Sequence, residues 1–173
     1  MVIETARLIL REMTRADYPA LAAILQAPEV MCAYEGPFSD KETIDWLENQ
    51  LKRYKKYGFG LWAVVLKETG EMIGQCGLTI QDCAGDELLE VGYLFNKSFW
   101  HKGYASEAAI ACKEYAFRLL DENKVYSIIR NTNTASQNVA RRNGMTVEKE
   151  FIKHYRGADM PHLLFSVARG EID

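Results

Sequence analysis

The sequence predicts one α/β (α+β) domain spanning residues 1–173, built on a central mixed sheet of about seven strands flanked by about four helices. Strand-like and helix-like stretches alternate along the chain, which suits a sheet covered by helices. An apolar run from Leu88 to Phe95 leads through a small-residue turn into an alanine-rich segment ending near Leu120, giving strand, turn and helix in succession. At 173 residues the chain is long enough to bury a substantial core, and no repeat, low-complexity tract or linker divides it.

The first strand is expected over Arg7–Glu12, where apolar and polar residues alternate. Thr14 with Asp17 forms a capping box for a helix through Leu21, Ile24 and Leu25, with Pro19 early enough to be tolerated. Pro28, Gly36 and Pro37 mark 27–38 as a loop. Ser39 and Glu42 make a second capping box, and Ile44, Leu47, Leu51 and Tyr54 define one helical face ending at Gly58. Leu61–Leu66 and Glu71–Ile80 read as a hairpin turned by Glu68-Thr69-Gly70. Gln81–Asp86 reads as a polar connection into the strand Leu88–Phe95. A helix then runs from Tyr104 to Leu120, followed by a short strand over Val125–Ile129 and a helix from Ser136 to Arg142 stopped by Gly144. Glu148–Tyr155 and His162–Ala168 are the last strands, joined through Gly157-Ala158-Asp159.

Composition narrows the function. The balance of 48% hydrophobic and 26% charged residues is that of a folded, water-soluble domain. A net charge of -3 argues against a general nucleic-acid binder and is compatible with amine substrates. Cys32, Cys76, Cys83 and Cys112 contain no C-x-x-C pair, so no metal is expected. Neither a signal-peptide core nor an apolar run of membrane-spanning length is visible, which makes the cytoplasm the expected compartment.

The turn Trp100-His101-Lys102-Gly103-Tyr104-Ala105-Ser106 places unpartnered backbone N–H groups and the positive end of a helix dipole together, a ready site for phosphate. Taken with its context, the stretch from Leu89 to Ala108 resembles the acetyl-CoA-binding segment of the GNAT N-acetyltransferases, in the branch of the ribosomal-protein alanine acetyltransferases (RimJ/RimL-like). Thr5-Ala6-Arg7-Leu8-Ile9-Leu10-Arg11 resembles that branch's first strand. Asn133-Thr134-Ala135-Ser136 through Asn143-Gly144-Met145 resembles its second cofactor-side motif. The resemblance implies a mostly antiparallel sheet whose central strands splay apart, with pantetheine in the gap against the backbone of Tyr93, Leu94 and Phe95. It implies cofactor contacts from His101, Lys102, Gly103, Tyr104, Ala105, Ser106, Asn133 and Arg142. Acceptor contacts are implied for Tyr34 and Glu35, with Trp46 nearby, although an aromatic beside an apolar helix face is ordinarily core.

Two positions depart from the pattern. His101 stands where the branch usually has glycine, and it either reaches the phosphates or points to solvent. Ala140 stands where much of the superfamily places a tyrosine acid. The branch instead implies Ser136 as the acid that protonates the departing thiolate, a residue equally suited to capping a helix. Glu90, the charged residue inside the apolar strand, is the candidate general base, since burial would raise its pKa. His154 and His162 lie on the final strands near the expected acceptor entrance.

The expected function is acetyl transfer from acetyl-CoA, as co-substrate, to a primary amine, either a protein N-terminus or a small molecule, in a ternary complex. An acyl-CoA-binding module without turnover, or transfer from another acyl-CoA, are the alternatives. Neither nucleic acid nor membrane is an expected partner, and the chain is expected as monomer or homodimer.

Overall fold

A computed structural model describes residues 2–34, 36–83, 85–155 and 157–170. Its strands are β1 (Ile3–Glu4), β2 (Leu8–Arg11), β3 (Leu61–Leu66), β4 (Met72–Cys83), β5 (Asp86–Phe95), β6 (Lys124–Arg130), β7 (Thr146–Tyr155) and β8 (Ala158–Ala168). The helices are α1 (Tyr18–Leu25), α2 (Asp40–Tyr57), α3 (Tyr104–Leu119) and α4 (Thr134–Arg142). The strands form one 8-stranded sheet in the order β1-β2-β3-β4-β5-β6-β8-β7. Every neighbouring pair is antiparallel except β5 and β6, which are parallel. This is the α+β architecture expected, with the two-residue β1 added at the edge, too short to show a period in sequence.

The two faces of the sheet are set by the period of β4. Gln75 accepts a hydrogen bond from the Trp46 indole on α2, whereas its neighbour Cys76 lies 3.6 Å, sulfur to sulfur, from Cys112 on α3. Successive side chains point to opposite faces, so α2 and α3 cover opposite sides. The α3 side is apolar and tight, with Ala108, Ala109, Cys112 and Ala116 fully buried against the sheet. Small side chains let that helix approach closely.

Helix α2 begins as its capping box predicts, Ser39 Oγ accepting from Glu42 N–H while Glu42 accepts from Ser39 N–H, and Gly58 ends it at φ 76°. Its buried face is rotated from the expected one: Ile44 is 48% exposed, whereas Gln50 is fully buried. The reason is polar. Gln50 Oε1 accepts the Leu61 N–H at 3.0 Å and the Tyr54 hydroxyl donates to the Leu61 carbonyl, so α2 ties down the start of β3 with hydrogen bonds that apolar periodicity does not show. A second correction falls at 81–86. The polar stretch read as a connection extends the β4–β5 hairpin to the pair Cys83↔Asp86, because backbone pairing does not require apolar side chains.

Gly77 in β4 is required by a close crossing. A Cβ there would lie 2.0 Å from the Gly60 carbonyl oxygen, which accepts the Leu78 N–H at 3.1 Å. Gly77→Ala is therefore expected to cost about 1–3 kcal/mol or more by forcing the backbone apart. Chemical denaturation of the two proteins measures this, and equal midpoints would show that β3 and β4 can separate freely at this point.

Candidate active site

Strands β5 and β6 share one backbone register pair, Glu90↔Tyr126, and then diverge. Side chains occupy the divergence: Ser127 Oγ donates to the Val91 carbonyl at 2.7 Å, and the Ile128 N–H donates to Glu90 Oε1 at 3.2 Å. The pairing of β5 with β4 identifies which backbone groups the divergence leaves over. Asn96 N–H bonds Ile73 O, and bonded and non-bonded pairs alternate along an antiparallel ladder, so Leu94 turns its backbone towards Gln75 while Val91, Tyr93 and Phe95 turn theirs towards β6. The Val91 and Phe95 carbonyls are taken by Ser127 and by the Trp100 indole. Tyr93 therefore presents both backbone groups to the gap, and Leu94 contributes its side chain to the wall.

The gap opens into a cavity of about 270 Å³ lined by Glu90, Tyr93, Leu94, Asn133 and Ser136 on one side and by Tyr34, Trp46 and Gln75 on the other. Trp46 is thus a wall residue, its indole N–H fixed on Gln75 Oε1 at 3.0 Å and its ring edge-on to Tyr34 and Phe38. Glu35 lies outside the described residues.

Asn133 caps α4, its Oδ1 accepting from Ser136 N–H at 3.1 Å. The cap is therefore Asn133, which corrects the reading of Ser136 as a cap. Among the described residues the Ser136 hydroxyl has no hydrogen-bond partner, and its carbonyl accepts from the Tyr93 hydroxyl at 2.8 Å. Glu90 accepts from Thr79 Oγ1 at 3.1 Å as well as from Ile128. Burial pushes its carboxyl above the ordinary range; the charge of Lys153, the two hydrogen bonds and the charge of Arg53 oppose the shift without cancelling it.

The turn before α3 is held from outside. The Trp100 indole is fixed on the Phe95 carbonyl at 2.9 Å, and Arg7 donates to the Lys102 carbonyl at 2.9 Å, pairs with Glu107 at 2.7 Å and stacks 4.5 Å over the Tyr104 ring. Burial alone would raise the Glu107 pKa, but hydrogen bonds from Thr5 and Arg7 and the Arg7 charge hold it low. Gly103 takes φ 82° at the N-cap, with no side chain covering the first-turn amides of Tyr104, Ala105 and Ser106. His101 adopts φ 60°, a left-handed conformation costly for a residue with a Cβ, which accounts for glycine being usual there in the branch it resembles. It is exposed, as is Lys102, whose ammonium lies 5.2 Å over Phe99. Arg141 bonds Asn138 and Gln137 on its own helix, whereas Arg142 is exposed and has no partner among the described residues.

Sequence reasoning gave one site residue, Arg7, no role. Arg7 was legible only as a polar residue of a strand. Of the two late histidines, His154 pairs with Asp159 on the exposed hairpin, while His162 lines the cavity. The Met160 carbonyl accepts from His162 Nδ1 at 2.9 Å, which places the ring proton on Nδ1 and leaves Nε2 as an acceptor. Burial lowers this histidine's pKa.

A cavity opened where a parallel pair splays apart, on the same sheet as an uncapped helix N-terminus, defines the class of protein. Residues 7–146 match the family model described as the acetyltransferase (GNAT) domain, and the chain belongs to that family of acetyltransferases. Among its relatives, YkkB of Bacillus subtilis is 37% identical over 86% of this chain and 87% of its own. The uncharacterised N-acetyltransferase p20 of Bacillus licheniformis is 31% identical over 84% and 82%. An acetyltransferase from Agrobacterium tumefaciens superposes with a TM-score of 0.81 at 29% identity, over 96% of this chain and 94% of that one. RimL, a ribosomal-protein α-N-acetyltransferase solved in complex with coenzyme A, shares the fold at a TM-score of 0.77 and 20% identity, over 96% and 97%. Among the described residues no helix is long and apolar enough to cross a membrane.

The raised Glu90 pKa has a consequence for stability. Between the ordinary carboxylate value and the higher folded one, the folded chain binds more protons than the unfolded chain, so this group's contribution falls as pH rises through that window. Glu90→Gln is expected to melt progressively higher than the native protein as pH is raised from about 4 to about 8, the difference vanishing at the acid end. A difference independent of pH, measured by thermal melting, would show that the carboxyl titrates normally.

Proposed function

We propose that this acetyltransferase moves an acetyl group from acetyl-CoA directly to a primary amine bound beside it in a ternary complex. One observation carries the reading: the unpaired Tyr93 backbone, the raised carboxyl of Glu90 and the unpartnered Ser136 hydroxyl all line one cavity. The residues fit the donor. The amides of Tyr104, Ala105 and Ser106, with the backbone of His101, Lys102 and Gly103, form a cradle for its diphosphate, and Arg142 supplies a free cation at the neighbouring helix end. The Tyr93 N–H and carbonyl bind the pantetheine amides as a missing strand would, flanked by Leu94 and Phe95, and Asn133 keeps its Nδ2 to donate after capping α4. RimL, on the same fold, was solved in complex with coenzyme A, which supports acetyl-CoA as the donor.

Acetyl-CoA supplies an activated thioester carbon. Glu90 takes the ammonium proton, directly or through water, and burial matches its basicity to that task. Ser136 Oγ–H gives its proton to the departing thiolate and regains one from the new amide nitrogen or from water, and its freedom from other partners keeps it available. Tyr34 walls the acceptor side, where Glu35 is its chain neighbour. His162, with Nε2 turned acceptor, is the second base that the cavity offers. The reading as a binding module without turnover rests on Ala140 in place of tyrosine, a role that Ser136 fills here.

Coenzyme A at a hundredfold excess over its dissociation constant should stabilise the protein by about 2.7 kcal/mol, and Gly103→Asp should remove that gain by placing an anion in the cradle. No melting shift at millimolar coenzyme A would overturn the donor assignment. Glu90→Gln should lower kcat/KM about a hundredfold, with partial recovery at high pH as the amine arrives neutral. Ser136→Ala should lower kcat without pH recovery and leave stability nearly unchanged, since its hydroxyl caps nothing. Steady-state pH profiles of both variants with one amine decide the roles, and native-like kcat in either removes that residue from the chemistry.

A further inference from the structure

The acceptor half of the cavity has more hydrogen-bond donors than its own acceptors can use. Gln75 is fully buried, its Oε1 is fixed as acceptor for the Trp46 N–H, and its Nε2 is left with no partner among the described residues. Arg53 on α2 makes a single 3.3 Å bond to Gln50 Oε1, and Lys153 on β7 has neither hydrogen bond nor ion pair among the described residues. All three line the cavity, and Glu90 is the acidic side chain among the described residues of its wall. Glu90 acts on Lys153 and Arg53 only through space: it forms no hydrogen bond or ion pair with either, and its oxygens accept from Thr79 and Ile128. A buried amide N–H without a partner is costly, so such a wall is made for a ligand bearing acceptor oxygens.

Resting on the acetyl-transfer reading above, we propose that the acceptor is a small amine that also carries a carboxylate, an amino acid in the broad sense, with its anionic end on Arg53, Lys153 and Gln75 Nε2 and its amine directed to Glu90. Three features favour a small molecule over a folded protein partner. The whole cavity is about 270 Å³, near the lower limit for ligand sites. Its floor is opened at Gly92, a position without a side chain between the Gln75 and Glu90 ends of the same sheet face. Its cations, Arg53 on α2, Lys153 on β7 and Arg130 on β6, which also donates to the Cys32 carbonyl, come from three different elements and so suit a compact anion rather than an extended chain. A polyamine, by contrast, would meet Arg53 and Lys153 with like charge.

The test uses the full chain, acetyl-CoA and matched pairs of acceptors: β-alanine, 4-aminobutyrate and alanine, each against its carboxamide, with putrescine and a short peptide of acidic N-terminus alongside. Thiol release should favour acid over amide by about tenfold or more in kcat/KM, and Lys153→Gln and Arg53→Gln should each shrink that ratio through KM. Lys153 is exposed on its hairpin, so its variant remains folded even where Arg53→Gln does not. Should no amine turn over, melting temperature with coenzyme A present gives the same comparison, and the acid must stabilise more than its amide. Equal behaviour of acid and amide in both readouts overturns the inference, as does preference for putrescine or turnover of the peptide alone. Stabilisation by coenzyme A reads separately on the donor assignment.

Discussion

Glu90 sits where two strands stop pairing, and the rest of the site follows from that point. The Ile128 N–H, which a continuous parallel ladder would give to a β5 carbonyl, goes instead to the Glu90 carboxylate, while Ser127 Oγ takes the Val91 carbonyl. Two side chains thus substitute for backbone and hold the strands apart without leaving those groups unsatisfied. Beyond them Tyr93 keeps both backbone groups unpaired in the middle of a sheet, a position tolerated in a folded protein when a ligand completes the ladder.

The same residue carries the chemical consequence. A carboxylate inserted between strands is desolvated, and its pKa rises because the compensating hydrogen bonds and the cations Lys153 and Arg53 do not fully repay the loss of water. The wedge that opens the groove is thereby a stronger base than an exposed carboxylate, as the proposed role in proton removal asks. Around it the α3 side of the sheet is closed by small apolar residues and the α2 side is polar, with Gln75, Thr79, Gln81 and Glu90 on one face. Donor and acceptor can meet at the gap without sharing a wall.

The turn before α3 shows how a cradle is kept open. Its amides are uncapped, and the loop bearing them is clamped at its carbonyls and rings by Arg7 and Trp100 from positions that do not cover those amides. His101 in a left-handed conformation adds strain that this clamp must hold. The relation to the acetyltransferase family and the geometry meet at this loop, which lies within the matched residues.

Local signals in the sequence determined a good deal: the order of helices and strands, both capping boxes as helix starts, the glycine stops, the phosphate-ready turn at Gly103 and the candidacy of Glu90 and Ser136. Each of these depends on residues within a few positions of one another, where propensity and hydrogen bonding act without regard to the rest of the chain. Tertiary structure decided what depends on neighbours distant in sequence. It rotated α2 to bury Gln50 because β3 needed its polar groups, and made Trp46 a cavity wall because β4 placed Gln75 beneath it. It also chose His162 over His154 for the cavity and gathered Arg7 to Lys102 across a separation of 95 residues. A side chain's partner across the sheet is set by register and crossing, and those are properties of the assembled fold.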